Sequence, residues 1–167
     1  MSENPMRAIR IEKVTLNVGC GGDREKIEKA QKLLELLTGQ KPIITLSRKR
    51  STFGIAKGKP VGVKVTLRKK RAKEFFERVI KSRDNKIKQS EINGRHINIG
   101  IKEYIELPGI KYQHDIGMMG LNVTISLERP GFRVERRKVK KSKIGKNHNI
   151  YREDVIKWLE ERGVKVV

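Results

Sequence analysis

The feature that most limits what this chain can become is a 38-residue stretch, 36–73, with 12 basic side chains and no carboxylate. A second basic stretch, 129–149, holds nine basic side chains and one acidic side chain. These two stretches carry nearly all of the net charge of +21, and the rest of the chain is close to neutral. Like charge at this density destabilises a compact fold unless a polyanion offsets it, so the pattern predicts a nucleic-acid partner. An anionic membrane surface is the weaker alternative, because no predicted helix joins Lys and Arg to an exposed Trp, Phe and Leu face.

Length and composition indicate one cytoplasmic domain. A chain of 167 residues fits a single domain, 1–167, that can bury a core without disulfides or metal. Its single cysteine fits a reducing compartment. The first residues lack the apolar stretch of a signal peptide, and no stretch is long and apolar enough for a membrane span. Aromatic residues make up only 5%, which predicts an aliphatic core.

The periodicity of apolar residues predicts an α+β fold with a mainly antiparallel sheet and helices packed on one face. The other face and long basic loops would then be free for RNA. Alternating patterns predict strands over 8–18, 41–47, 61–67, 96–101 and 121–128, with 103–107 also extended. Helical periodicity predicts helices over 24–38, 69–82 and 151–162. Asp23 is a suitable N-cap for the first of these helices, and Gly39 is a suitable end.

No pattern of catalytic, cofactor-binding or metal-ligating residues is evident. The glycines at 19–22 lie where a dinucleotide fingerprint would, but Arg24 occupies the position of its third glycine. The three histidines lack metal-ligand spacing. The sequence therefore predicts no catalytic residue, no metal, no cofactor and no small-molecule substrate. An RNA-modifying or RNA-processing enzyme of similar charge remains an alternative, although residues 36–73 contain no carboxylate, His or Cys for its chemistry.

Several motifs together resemble one family over essentially the whole chain. They are NPMR (4–7), RIEKVTLNVG (10–19), LLTGQKPI (36–43), RKRSTFGI (48–55), VKVTLR (63–68), NIGIKEYIELPGIKY (98–112) and RPGFRVERRK (129–138). The sequence resembles large-subunit ribosomal protein number five, the 5S rRNA-binding family, in its archaeal or eukaryotic form. It departs from that family at Met118-Met119, where the usual aromatic residue is missing.

The resemblance implies a structural role in the central protuberance of the large ribosomal subunit, among neighbouring ribosomal proteins. The expected 5S rRNA-binding residues are Asn17, Gln40, Lys41, Thr45, Lys64, Thr66 and Arg68. The basic loop 48–60 is expected to reach P-site tRNA through Arg48, Lys49, Arg50, Phe53, Lys57 and Lys59. The basic segment 129–149 is expected to bind large-subunit rRNA through Arg133, Arg136, Arg137, Lys138, Lys140, Lys141, Lys143 and Lys146. The alternation of Lys64, Thr66 and Arg68 with the aliphatic side chains of Val63, Val65 and Leu67 supports the first set independently of the resemblance.

Overall fold

A computed structural model of the chain describes residues 4–52 and 54–167. Its strands are β1 (Arg10–Gly19), β2 (Ile43–Leu46), β3 (Pro60–Leu67), β4 (Lys86–Ile87), β5 (Ile92–Asn93), β6 (His96–Ile101), β7 (Leu121–Glu128) and β8 (Lys165–Val166). Its α-helices are α1 (Arg24–Thr38), α2 (Lys69–Ser82), α3 (Arg133–Arg136) and α4 (Arg152–Glu160). Short 3-10 turns lie at Pro5–Arg7, Gln89–Glu91, Tyr104–Glu106 and Lys146–His148.

Six of the strands form one sheet in the order β2-β3-β1-β7-β6-β5. Neighbours β2–β3, β1–β3 and β5–β6 run antiparallel, whereas β4 and β8 form a separate parallel pair. The mixture of helices with a mainly antiparallel sheet confirms the predicted α+β class. Among the described residues, no helix has the length and apolarity needed to cross a bilayer.

The chain divides into two compact units. Of the described residues, the first unit holds 4–13, 68–98 and 125–167, and the second holds 14–52, 54–67 and 99–124. Each unit is built from separated parts of the sequence. Three strands, β1, β6 and β7, contribute residues to both units. The single domain expected from length stays a prediction.

In the second unit, α1 lies against β3 and buries an aliphatic stripe. Ile27, Ala30 and Leu34 on α1 are buried, as are the alternating side chains Val63 and Val65 of β3. The carboxylate of Asp23 accepts a hydrogen bond from the Glu25 amide at 3.0 Å and caps the helix. Gly39 ends it with a φ of 61°, a left-handed conformation that glycine adopts without strain. The predicted bounds and ends of this helix are confirmed.

In the first unit, α2 and α4 meet through aromatic side chains. The rings of Phe76 and Trp158 lie 5.6 Å apart, and the Trp158 indole N–H donates to the Ile9 carbonyl at 3.1 Å. The helix predicted over 151–162 is shorter and begins at Arg152, where Asp154 accepts from the Tyr151 amide at 3.1 Å. A carboxylate inside the first turn of the helix therefore satisfies the backbone amide at its start.

The prediction of extended backbone over 103–107 is wrong, because Tyr104–Glu106 forms a 3-10 helix. The alternation of apolar residues there has another cause: Tyr104 and Leu107 are both buried, three residues apart. The Tyr104 hydroxyl accepts a hydrogen bond from the Gln113 amide at 2.9 Å. Residues three apart lie on one side of a 3-10 helix, whereas in a strand they would point to opposite faces, so the burial of both fits the helical turn.

Candidate nucleic-acid interface

Four of the seven residues predicted to bind 5S rRNA lie together on the exposed face of β1, β3 and β2 in the second unit. Strand pairing aligns Asn17 with Lys64, and Lys64 with Ile43 on the next strand. Two residues further along each of these strands, Thr15 of β1 pairs with Thr66 of β3. Thr45 pairs with Gly62 at the other end. Because side chains two apart on a strand share a face, these residues form one surface, here called the strand face.

The strand face is cationic and polar with an apolar component. Lys64, Thr66 and Asn17 are exposed, and Ile43 is 63% exposed. No acidic residue occurs in β2, in β3 or in β1 from Val14 onward. The opposite side chains of the same strands, such as Leu16 and Val65, are buried. Such a face can contact phosphates and ribose hydroxyls without repulsion from a carboxylate.

The other three predicted residues are placed differently. Gln40 and Lys41 lie in the connection between α1 and β2, where Gln40 is half-buried and Lys41 is exposed. Arg68 precedes α2 and belongs to the first unit. Its guanidinium lies 3.8 Å from the carboxylate of Glu12, so this side chain has an acidic partner that the sequence pattern did not indicate.

In the loop predicted to contact tRNA, backbone hydrogen bonds join the two ends of the loop and also join Ser51 to Ile55 further along it. At the base, the Ser47 amide donates to the Lys59 carbonyl and the Gly58 amide donates to the Ser47 carbonyl, both at 2.9 Å. Nearer the tip, the Ser51 amide donates to the Ile55 carbonyl at 2.9 Å. All the predicted cations of the loop are exposed, namely Arg48, Lys49, Arg50, Lys57 and Lys59. Phe53 lies outside the described residues.

Side-chain contacts hold the two ends of the basic segment 129–149 in place. Arg129 is buried, forms an ion pair with Asp154 at 3.2 Å and donates to the Asn149 carbonyl at 2.9 Å. The ring of buried Phe132 meets the ring of His148 edge-on at 5.6 Å. Between these anchors lie all eight residues predicted to bind large-subunit rRNA, and every one is exposed. They are Arg133, Arg136, Arg137, Lys138, Lys140, Lys141, Lys143 and Lys146.

Arg136 differs from the other seven because two carboxylates hold its side chain. One of its terminal nitrogens contacts Glu12, and the other lies 2.6 Å from Glu128. Glu128 also forms an ion pair with Arg10 at 2.9 Å. Sequence reasoning missed Arg10, Glu12 and Glu128. The available signal was that Glu12 continues the inward alternation of Val14 and Leu16, where a carboxylate needs a partner.

Cys20 and His96 have shifted pKa values, and neither shift indicates catalysis. Burial raises the pKa of the Cys20 thiol, and nearby Asp23 adds to the effect, which disfavours the thiolate that a nucleophile needs. Burial, followed by the positive charges of Arg95 and Lys13, lowers the pKa of His96. In the part of the chain that the structure describes, no three His, Cys, Asp or Glu side chains are grouped to hold a metal ion.

Comparisons with known proteins agree on one family. The sequence pattern described as ribosomal protein L5 matches residues 4–55, and that of the ribosomal L5P family C-terminus matches residues 60–158. The large ribosomal subunit protein uL5 of Nanoarchaeum equitans is 49% identical over 168 residues, which cover 99% of each chain. The uL5 protein of Archaeoglobus fulgidus is 43% identical over 99% of this chain and 93% of its own. That of Sulfurisphaera tokodaii is 44% identical over 95% of this chain and 91% of its own.

Proposed function

This chain belongs to the ribosomal protein L5 family, and we propose that it binds 5S rRNA through the strand face. As a member of this family it is a structural constituent of the large subunit of the cytoplasmic ribosome, and it is not an enzyme. The alternative of an RNA-modifying or RNA-processing enzyme is therefore set aside.

The observation that carries the 5S rRNA proposal is the chemistry of the strand face. The register places Asn17, Lys64 and Ile43 in one row across three strands. Hydrogen-bonding, cationic and apolar groups in a row suit the shallow minor groove of an RNA helix, where ribose hydroxyls lie between the phosphates. The lack of acidic residues on these strands removes the main electrostatic penalty for approaching RNA.

Charge reversal at Lys64 tests this proposal. If about 6–10 phosphates are neutralised, affinity for 5S rRNA should fall roughly 10³- to 10⁵-fold between about 50 and 200 mM salt. Lys64→Glu should weaken binding by a further factor of roughly ten at fixed salt, because it removes one phosphate contact and adds a repelling charge.

Lys29→Glu is the matched control, because Lys29 is exposed on α1 of the same unit and the net charge changes equally. Filter binding with 5S rRNA should show a large loss for Lys64→Glu and a small one for Lys29→Glu. If both variants lose 5S rRNA affinity equally, net charge alone explains the binding, and the strand face is rejected as the binding surface.

We further propose that the loop 48–59 contacts P-site tRNA. Its support is the placement of five exposed cations on a hairpin extension whose base is already closed at Ser47. A connection of this length exceeds what a hairpin needs, and long loops are usually functional or disordered. We also propose that the eight exposed cations of 129–149 predicted above bind large-subunit rRNA. There they would lie beside neighbouring proteins of the central protuberance.

Shortening the loop separates its role from that of the strand face. Replacing 49–57 by Asn-Gly keeps the Gly58 amide that closes the hairpin, and loop length enters stability only logarithmically. The variant should fold, bind 5S rRNA and assemble into ribosomes that release P-site tRNA faster. Loss of 5S rRNA binding with unchanged tRNA release would assign the loop to the 5S contact instead.

A further inference from the structure

Two carboxylates in the first unit gather cations from widely separated parts of the chain. The side chains of Glu12 and Glu128 are only 7% and 10% exposed. Around them lie Arg10 from the start of β1, Arg68 from the residue before α2, and Arg136 from α3. These three residues are called the arginine cluster below, and Glu12 with Glu128 the carboxylate pair.

The geometry ties the cluster together through shared oxygens. Arg136 bridges the carboxylate pair, with one terminal nitrogen on Glu12 and the other 2.6 Å from Glu128. Arg10 reaches the second Glu128 oxygen through both Nε, at 3.0 Å, and a terminal nitrogen, at 2.9 Å. Arg68 lies 3.8 Å from the same Glu12 oxygen that Arg136 contacts.

Exposure distinguishes the two kinds of charge. The carboxylates are buried, whereas the arginine side chains are 60%, 55% and 43% exposed. A guanidinium has five N–H donors, and Arg10 and Arg136 each use two of them in these contacts. Every arginine of the cluster therefore keeps donors toward solvent, while hydrogen bonds to the buried carboxylates orient Arg10 and Arg136. Lys13, 3.6 Å from Glu12, brings the group to four cations for two carboxylates.

We propose that the arginine cluster is one binding site for phosphates of an RNA backbone, and that the carboxylate pair consists of positioning residues for it. This proposal rests on the proposed RNA-binding function and deepens it. Sequence reasoning assigned Arg68 to 5S rRNA and Arg136 to large-subunit rRNA, whereas the structure brings both to Glu12. A convergent set of guanidinium forks suits phosphate oxygens better than single lysines do.

The direction in which RNA affinity changes when a carboxylate of the pair is neutralised distinguishes this proposal from simple electrostatics. Glu12→Gln and Glu128→Gln each raise the net charge by one, so a purely electrostatic account expects equal or tighter RNA binding. Positioning predicts the opposite, since arginines that are free to rotate must be ordered when RNA binds. We expect each variant to bind roughly fivefold or more weakly at the same salt concentration.

Glu74→Gln is the matched control, because the ion pair of Glu74 with Lys70, at 3.9 Å, is exposed and contributes little to stability. Arg10→Ala is the second variant, because its side chain is 60% exposed and its removal leaves the fold least affected. It should lower the slope of log affinity against log salt by about 0.7–0.9, the value for one phosphate contact. Circular dichroism should show that all variants are folded before binding is measured.

The probes are transcripts of archaeal 5S rRNA and archaeal large-subunit rRNA, each titrated against the intact chain. Selective weakening toward one transcript supports the site and identifies which RNA supplies the phosphates. If the two glutamine variants bind both transcripts as tightly as the wild-type chain, or more tightly, the inference is overturned. The proposed function is then left intact. Unchanged RNA binding combined with lost association with a neighbouring ribosomal protein also overturns it. If the wild-type chain binds neither transcript, the proposed function itself fails.

Discussion

A methyl group added at Gly62 tests how closely β1 and β3 approach at the strand face. The Cβ of an alanine there would lie 2.4 Å from the Val18 carbonyl oxygen and 3.3 Å from Thr45 Oγ1. The first distance is shorter than any real contact of this kind, and the obstacle is backbone rather than a flexible side chain. Gly62→Ala must therefore push β1 and β3 apart where they pair.

Overpacking of this kind costs about 1–3 kcal/mol of unfolding free energy. For a chain of this size each kcal/mol lowers Tm by about 2–4 °C, so the variant should melt roughly 2–12 °C below wild type. Thermal unfolding followed by circular dichroism is the assay, with urea unfolding as a second measure. Binding of 5S rRNA should weaken in the same variant, because Gly62 lies in the strand face beside Thr45.

Gly100→Ala provides the control within another strand. The Cβ added at Gly100 would lie 3.6 Å from Asn122 Oδ1, which is an ordinary contact. Alanine there should leave Tm unchanged or raise it slightly, because it restricts the unfolded chain more than glycine does. If Gly62→Ala melts with wild type, or above Gly100→Ala, the close approach of the two strands is not as the structure places it.

Three further changes test other parts of the fold. Asp23→Ala removes the cap of α1 and should cost about 0.5–2 kcal/mol in urea unfolding, whereas Asp23→Asn should cost less. Leu34→Ala opens a cavity under the same helix and should cost about 2–5 kcal/mol, against little for Leu36→Ala, which is 47% exposed. His96 has a lowered pKa when folded, so its contribution is complete above about pH 6.5 and is lost as pH falls through the lower folded pKa. His96→Gln should flatten that part of the stability profile, while the same change at exposed His114 should leave it intact; no difference between the two would refute the assignment.

Local signals made most of the elements predictable from the sequence. The helix over 24–38 carries its own cap, its own apolar stripe and a glycine at its end, so nearby residues alone define it. The hairpin of β2 and β3 is equally local, and the alternation in VKVTL already separates the polar side chains from the buried ones. These patterns were sufficient to place Lys64 and Thr66 on one face.

Features that depend on distant partners could not be predicted in the same way. Arg136 and Glu12 are 124 residues apart, and no periodicity links them. The same holds for β4 and β8, which pair over two residues each although nearly half of the chain separates Lys86 from Lys165. A basic run in the sequence indicates RNA binding in general, but only the fold shows which of its cations already have acidic partners.

The most direct test of the proposed 5S rRNA interface is the chemical reactivity of lysines in the complex with 5S rRNA. The chain alone and the saturated complex are acetylated briefly, and the modified lysines are quantified by mass spectrometry. If the strand face binds 5S rRNA, Lys64 should be strongly protected and Lys29 on α1 should react unchanged, since both are exposed in the free chain. Unchanged reactivity of Lys64 in a fully saturated complex would contradict the central claim that the strand face binds 5S rRNA.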